Sequence, residues 1–324
     1  MKLIKIDRKS EIPLIGCIAF GIIDRGTDLI QIRPTSVCNM KCIFCSTNAN
    51  DPNFHPTNYQ VELDYLLDYV KEVVKFKEVS IEANIDSVGE VATYPQLIEL
   101  IKGIKKIKEI RRISMQTNGM LINDVKVLEE AGLNQINLSI NSLDKEQAKT
   151  LSGCQHYDLN KILKLAEEVS KSKIQLLFAP VWIPKWNDKH IPELIKLAKK
   201  LKAKIGIQKY EEYKHSRKAP NAKKINYKKF YEQLKEWEKE YKIDLICTAD
   251  NFNIKKAKRL PTKFKIGEKT IAEIKASGWM INQALAVANN RCITINNCQP
   301  SIGKRIKVKI TDNKNNIYMA EKIK

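Results

Sequence analysis

The chain has 324 residues, of which 43% are hydrophobic and 29% charged, and its net charge is +20. This composition is globular and excludes wholesale disorder, and the length suits one large domain with a small appendage. No apolar run is long enough to span a bilayer, and the N-terminus has no secretory pattern. Eight cysteines are too few for a disulfide scaffold in a chain of this length. We therefore expect a cytoplasmic protein.

The predicted elements begin with a β lead-in over residues 1–28, and short β-rich runs then alternate with longer amphipathic runs from residue 29 to residue 217. Predicted strands cover residues 29–33, 79–83, 112–116, 135–140, 173–179 and 204–208. Predicted helices cover residues 63–76, 94–107, 123–130, 159–172 and 190–202. Six strand–helix units in series predict an α/β fold with a parallel sheet, curved into a partial (β/α)6 TIM-like barrel.

The pattern changes after residue 217. Residues 218–250 are predicted to form a linker and a charged helix over residues 227–241, and five short β runs separated by polar turns predict a small all-β barrel over residues 251–324. This last segment holds 16 Lys and Arg against four Asp and Glu, a net charge of +12, which is more than half of the charge of the chain. Charge concentrated in this way favours a polyanionic partner, whereas evenly spread lysines would indicate only a solvated surface.

Three cysteines follow the first core strand at the spacing CxxxCxxC: Cys38, Cys42 and Cys45. Three thiolates suit a [4Fe–4S] cluster with one iron left open, whereas structural zinc needs a fourth ligand, and no nearby His or Cys supplies it. The loop after a strand is also where barrel and open-sheet enzymes place their chemistry.

The cysteine triplet followed by six strand–helix units resembles the radical SAM superfamily, over about residues 29–217. The resemblance implies that Cys38, Cys42 and Cys45 hold a catalytic [4Fe–4S] cluster and that S-adenosylmethionine binds the open iron. One electron, from a donor such as ferredoxin or flavodoxin, then cleaves the cofactor to a 5′-deoxyadenosyl radical that takes a substrate hydrogen.

The same resemblance implies which residues contact S-adenosylmethionine. They are an aromatic residue inside the triplet and polar residues at the ends of later strands. The segment 86–90 is similar to the family's Gly-Gly-Glu motif, although Val88 replaces its first glycine. The implied contacts are Phe44, Gly89, Glu90, Asn118, Ser139, Asn141 and Gln208.

The basic C-terminal segment resembles a TRAM domain, an OB-like barrel that follows the catalytic domain in several RNA-modifying families, and the whole arrangement resembles archaeal radical SAM proteins that carry one. Basic and apolar residues alternate over residues 305–310, so one strand face can enter a core while the other presents cations to phosphates. RNA, and tRNA above all, is therefore the expected substrate and partner.

Two other functions stay open. One is radical chemistry on a peptide, a protein or a small metabolite, and the other is a non-enzymatic iron–sulfur protein that binds nucleic acid. Cys247, Cys292 and Cys298 are candidate ligands of a second cluster, the alternative being ordinary cysteines of a small β core.

Overall fold

The computed structural model describes residues 1–247 and 250–323. The structure divides into two compact units, and each unit is built from segments that are not contiguous in the sequence. The first unit comprises Met1–Cys38, Asn50–Ile113 and Lys255–Lys324, and the second comprises Asn39–Ala49 and Ser114–Ile254.

The elements are numbered in chain order. The strands are β1 (Lys2–Ile6), β2 (Gly21–Asp24), β3 (Leu29–Arg33), β4 (Thr57–Val61), β5 (Ile81–Ile85), β6 (Ile110–Thr117), β7 (Gln135–Leu138), β8 (Gln175–Phe178), β9 (Val181–Trp182), β10 (Lys204–Ile205), β11 (Gln208–Lys209), β12 (Lys269–Ser277), β13 (Gln283–Ala288), β14 (Arg291–Asn296), β15 (Arg305–Asp312) and β16 (Met319–Lys322). The helices are α1 (Leu63–Lys77), α2 (Leu97–Lys105), α3 (Val125–Ala131), α4 (Lys145–Ser152), α5 (Leu159–Ser170), α6 (His190–Lys200) and α7 (Tyr227–Tyr241).

In the first unit, β3 pairs antiparallel with β2 and parallel with β5, and β1 pairs parallel with β4. Helix α1 buries an apolar face, and its last residue, Lys77, is fully buried in an ion pair with Asp24 at 2.9 Å. The other carboxylate oxygen of Asp24 accepts the backbone N–H of Leu260 at 2.7 Å. This buried charge therefore attaches the C-terminal segment to the hairpin turn after β2.

The second unit contains parallel pairs between β6 and β7, between β7 and β8, and between β8 and β10. Strands β9 and β11 form a separate two-stranded parallel sheet. Helix α7 packs its aromatic residues on β9, with the rings of Phe230 and Trp237 centred 6.0 and 5.1 Å from that of Trp182.

The C-terminal strands close into a five-stranded barrel in the order β12-β13-β14-β16-β15. Four of its pairings are antiparallel and β14 pairs parallel with β16. The barrel also bonds to the N-terminal segment of its own unit, because the N–H groups of Cys292 and Tyr318 donate to the carbonyls of Ile15 and Gly16, both at 2.9 Å. A Cβ at Gly16 would lie 1.9 Å from the Cys292 carbonyl oxygen, so only glycine permits this approach.

The predicted core strands and the predicted C-terminal barrel are present. Strand β3 and helix α7 have the predicted bounds, whereas β5 begins two residues later than predicted and the predicted strand 204–208 is two short strands, β10 and β11. These two pair with different partners, β8 and β9, which explains the break between them.

Helix α4 and strand β4 were not predicted. Most residues of α4 are polar, and its start is marked only by Asp144, whose side chain accepts the N–H of Gln147.

Candidate functional site

The residues that lead into Cys38 are fixed against β4. The buried Ser36 hydroxyl accepts the Tyr59 N–H at 2.8 Å and lies 3.1 Å from Asn58 Oδ1. The Thr35 hydroxyl donates to the Tyr59 carbonyl and accepts the Val37 N–H, both at 3.1 Å. These hydroxyls satisfy the backbone of a sharp turn, so the chain reaches Cys38 in a defined direction.

The loop after β5 packs directly on this turn. Ser87 Oγ donates to the Thr35 carbonyl at 2.6 Å, and the N–H of Glu90 donates to the Val37 carbonyl at 2.8 Å. A Cβ at Gly89 would lie 2.3 Å from the Val37 oxygen. The first unit thus places Gly89 and Glu90 beside the residue that precedes Cys38, and Gly89 is required for the close approach of the two backbones.

Glu90 is 3% exposed, and its Oε1 accepts the N–H of Ala92 at 3.0 Å. The carboxylate therefore caps the short 3-10 helix Val91–Thr93. A buried carboxylate gains most from a cationic partner. The chemistry of this group fits the ammonium of S-adenosylmethionine, and the binding role of Glu90 stays a prediction.

Beneath this loop lies a buried ion pair that the sequence did not indicate. Asp86 accepts from Arg33 through both oxygens, with Nε–Oδ1 at 2.9 Å and Nη2–Oδ2 at 3.0 Å. Gln31 Nε2 also donates to Asp86 Oδ2 at 2.7 Å, and Arg33 Nη1 donates to the Ile18 carbonyl at 2.6 Å. The sequence signal that could have indicated this pair was Arg33, a charged residue at the end of the mainly apolar strand β3.

The rest of the cysteine loop, residues 39–49, belongs to the second unit. Helix α4 holds it, because the N–H groups of Lys41 and Ile43 donate to the carbonyls of Ser152 and Leu151 at 3.1 and 3.0 Å. Gly153, with φ +57°, ends this helix, and a Cβ there would lie 2.1 Å from the Lys41 oxygen. A helix that the sequence pattern missed is therefore the support of the cysteine loop.

Cys38, Cys42 and Cys45 are half-buried and take part in no disulfide. The Cys45 N–H donates to the Cys42 carbonyl at 3.1 Å, and Cys45 Sγ lies 3.3 Å from Thr47 Oγ1. Within residues 1–247 and 250–323, no three Cys, His, Asp or Glu side chains form a ready-made metal site. The fit of a [4Fe–4S] cluster to the triplet accordingly rests on donor chemistry, since three sulfur ligands on one short loop match iron–sulfur ligation.

Phe44 lies within the triplet and packs, with Ile43, against the buried cluster of Leu151, Ile183, Tyr210 and Ala219. The ring therefore anchors the cysteine loop in the hydrophobic interior of the second unit. Its predicted contact with S-adenosylmethionine remains a prediction.

The other predicted contacts differ in their surroundings. Asn118 Nδ2 donates to Asn39 Oδ1 at 2.8 Å, which brings Asn118 to the cysteine loop. Ser139 Oγ accepts from the side chain of Gln116 at 3.1 Å. The amide oxygen of Asn141 accepts the backbone N–H of Val181 at 2.8 Å, so this side chain supports β9, and Gln208 is exposed on β11.

The three candidate ligands of a second cluster lie in unlike places. The thiol of Cys292, fully buried in β14, hydrogen-bonds to Cys17, and this bond together with burial raises the Cys292 pKa well above its usual value. Cys298 is part of the barrel core. Cys247 is exposed overall, and burial of its thiol raises the pKa. Since the described residues contain no group of three metal-binding side chains, a second cluster stays an untested alternative to ordinary cysteines of the β core.

Among the described residues, none of the helices combines the length and the apolar character that crossing a membrane requires.

Comparison with known proteins identifies the family. The model of the Radical SAM superfamily matches residues 32–198, and the chain belongs to this superfamily. The predicted family is thereby confirmed, and with it an enzyme that uses a [4Fe–4S] cluster and S-adenosylmethionine. The matched range ends before the C-terminal barrel, whose TRAM identity stays a prediction.

Three similar proteins illustrate the relationship. An uncharacterized protein of Methanocaldococcus jannaschii is 40% identical, over 96% of this chain and 78% of that protein. A GTP 3′,8-cyclase of Clostridium perfringens is 31% identical over 54% of this chain and 53% of the cyclase. The crystal structure of Streptococcus suis SuiB bound to the precursor peptide SuiA aligns with a TM-score of 0.54 at 19% identity, over 69% of this chain and 48% of SuiB.

The chain spans about half the length of the cyclase and of SuiB. The likeness to SuiB shows a shared fold, which confirms the predicted TIM-like radical SAM core.

Proposed function

We propose that this radical SAM enzyme modifies RNA, tRNA above all, and holds it through the basic face of the C-terminal barrel. A [4Fe–4S] cluster, when bound, would supply the electron for reductive cleavage of S-adenosylmethionine to methionine and a 5′-deoxyadenosyl radical. Cys38, Cys42 and Cys45 would hold this cluster, Glu90 would bind the cofactor's ammonium, and a ferredoxin or flavodoxin would deliver the electron. The features that favour RNA lie in the C-terminal barrel.

Strand β15 presents its cations to solvent. Along it, Arg305, Lys307 and Lys309 are exposed, while Ile306, Val308 and Ile310 are buried in the barrel core. Strict alternation gives one continuous row of positive side chains at every second residue. Such a row can follow a phosphate backbone without reading bases.

The observation that carries the proposal is a pair of like charges. Lys309 of β15 stands directly opposite Lys269 of β12 in the antiparallel register, and both side chains are exposed. Like charges in this position destabilise a sheet. Within the described part of the barrel, Glu321 of β16, opposite Lys309 on its other side, is the only acid in register with these two lysines. An anion bound between the lysines would offset the repulsion, and a phosphate group of RNA is such an anion.

A second candidate substrate is a nucleotide such as GTP. It is favoured by the sequence likeness to a protein named GTP 3′,8-cyclase, and a triphosphate suits the same cations. A peptide substrate is supported only by the fold that this chain shares with SuiB, which was solved bound to the precursor peptide SuiA.

The test uses point variants of the whole chain. Removing the barrel would expose the backbone of residues 15 and 16 to which it bonds, so deletion would not separate folding from binding. In the double variant Lys307→Glu/Lys309→Glu the apolar face of β15 is untouched. The control, Lys126→Glu/Lys164→Glu, reverses two lysines of the second unit whose side chains are 82% and 78% exposed.

Binding of total tRNA is measured by fluorescence anisotropy at several salt concentrations. The barrel variant should bind more weakly, and the slope of log affinity against log salt should fall by about one for each phosphate that the protein no longer neutralises. Equal affinity and slope in the barrel variant and the control would refute the RNA proposal. Release of 5′-deoxyadenosine stimulated by GTP and not by tRNA would favour the second candidate.

A further inference from the structure

Arg217 lies between β11 and α7, beyond the residues 32–198 that the family model covers. It belongs to the same compact unit as residues 39–49. Its side chain is only half-buried, yet it contacts the cysteine loop at several points.

Four backbone carbonyls of the cysteine loop accept hydrogen bonds from this one residue. The Arg217 N–H donates to the Cys45 carbonyl at 2.9 Å, and Nη1 donates to the Cys42 carbonyl at 3.1 Å. Nη2 donates to the carbonyls of Asn48, at 3.4 Å, and of Ala49. The carbonyls of two cluster cysteines and the far end of the loop are thus held by one residue.

The segment that carries Arg217 is itself fixed. The buried Tyr210 hydroxyl accepts the Ala219 N–H at 2.9 Å, and Trp186 Nε1 donates to the Pro220 carbonyl at 2.7 Å. Tyr210 and Ala219 belong to the apolar cluster on which Phe44 packs. Residues 210–220 therefore form a strap that is anchored on both sides of Arg217.

Guanidinium is suited to this task. Its planar fork has five donors in a fixed geometry and stays charged at any relevant pH, so it can bind several carbonyls at once. Lysine has one compact ammonium on a flexible stem and cannot match two diverging carbonyls with the same geometry.

We propose that Arg217 is a positioning residue for the cluster: it fixes the backbone at Cys42 and Cys45 so that their thiolates are presented together, and its positive charge raises the cluster's reduction potential. The second effect follows because potentials of iron–sulfur clusters depend on nearby charge and on hydrogen bonding around the ligands. This inference depends on family membership and not on the RNA proposal, so either can fail alone.

The experiment uses the full chain, reconstituted with iron and sulfide under anaerobic conditions. Arg217→Ala removes the clamp, and Arg217→Lys keeps the charge without the fork. Arg217→Gln keeps side-chain donors without the charge. Lys218→Ala is the control, because this neighbouring lysine is exposed. The readouts are iron release to a ferrous chelator, the EPR spectrum of the reduced cluster with and without S-adenosylmethionine, and the midpoint potential.

Arg217→Ala should release iron about tenfold faster or more, since loss of one charge-assisted hydrogen bond suffices for that factor. It should also show an altered EPR spectrum and a more negative potential. Arg217→Lys should release iron faster while keeping a near-native potential, and Arg217→Gln should lower the potential. Lys218→Ala should match the wild-type protein.

Wild-type iron release and an unchanged EPR spectrum in Arg217→Ala would overturn the proposal. Circular dichroism and thermal unfolding establish that each variant folds. Should Arg217→Ala not fold, Arg217→Lys decides: faster iron release supports the clamp, and wild-type release contradicts it.

Discussion

Arg33 forms a bidentate ion pair with Asp86 inside the first unit, with nitrogen–oxygen distances of 2.9 and 3.0 Å. Arg33 is the last residue of β3, and Asp86 directly follows β5. Both side chains are nearly excluded from solvent, at 9% and 11% exposure. The Asp86 N–H also donates to the Ile32 carbonyl at 3.1 Å. The pair thus fixes the point where the Gly89–Glu90 loop leaves the strand.

Asp86→Ala should lower the free energy of unfolding by about 3–5 kcal/mol, because it leaves the Arg33 guanidinium buried without its counter-charge. Chemical denaturation measures the change. Glu130→Ala provides the comparison, since its ion pair with Lys126 is exposed and 3.8 Å long, and a change of under about 1 kcal/mol is expected there. Equal changes in the free energy of unfolding for the two substitutions would mean that the buried ion pair stabilises the protein no more than the exposed one.

Gly89→Ala should destabilise the protein by about 1–3 kcal/mol, since the new methyl group would overlap the carbonyls of Val37 and Ser36. The displaced turn should also reduce the affinity for S-adenosylmethionine. Gly206→Ala is the matched control, because a Cβ there would meet its nearest neighbour, Cys247 Sγ, at 3.7 Å. Thermal unfolding and equilibrium dialysis of both variants check the expectation. Native stability of Gly89→Ala would show that the loop can move away.

Glu90→Gln should weaken S-adenosylmethionine binding about tenfold or more, since the cofactor's ammonium would lose a charged partner. The amide oxygen can still cap residues 91–93, so the fold should be preserved. Iron content should stay at about three to four per chain, as for one [4Fe–4S] cluster. Anaerobic calorimetry and iron analysis measure the two quantities, with Glu99→Gln, an exposed carboxylate of α2, as control. Loss of the cluster in Glu90→Gln would contradict the assigned role.

Replacing Cys38, Cys42 and Cys45 together by alanine should remove all iron–sulfur absorption after reconstitution. Cys17 and burial raise the pKa of Cys292, which disfavours the thiolate that a cluster ligand must be. Cys298 is buried in the barrel core. Neither cysteine is therefore well suited to bind a second cluster. Iron and sulfide assays report the outcome. Residual iron–sulfur absorption in the visible range would instead support ligation by Cys247, Cys292 and Cys298.

Stability should depend on pH through Glu11. A hydrogen bond from Lys275, at 2.5 Å, holds the pKa of this carboxyl below its usual value. A depressed carboxyl pKa contributes stability that is present above the ordinary glutamate pKa and is lost as the pH falls through the lower, folded value. The stability difference between the wild-type protein and Glu11→Gln should therefore shrink in that acidic window. A difference that does not vary with pH would argue against the pair.

The parts of the fold that the sequence predicted are those with local signals. Strand β3 has a run of apolar residues between turn residues, and α7 has a helical repeat of aromatic residues. Helix α4 lacks such a repeat, so its support of the cysteine loop became visible only through its carbonyls at Leu151 and Ser152.

Of the candidate site, the cysteine triplet was evident because its spacing is itself the signal. Arg217 was not, because it binds backbone carbonyls 168 to 175 residues away, and carbonyls are the same in every residue. The partner of Asp86 was hidden for a related reason, since 53 residues separate it from Arg33. Such contacts are set by tertiary folding alone.

The approach of Gly16 to Cys292 has a consequence for the order of events during synthesis. A nascent first unit lacks Cys292 and Tyr318 until long after residues 15 and 16 have been made, so the carbonyls of Ile15 and Gly16 lack these two hydrogen-bond donors until then. Closing so long a loop is slow, and an open edge in the meantime invites wrong pairing. The second unit, whose residues are complete by Ile254, can fold while the barrel is still being made. If the second unit folds early, the Arg217 strap contacts residues 39–49 before residues 15 and 16 bond to the barrel.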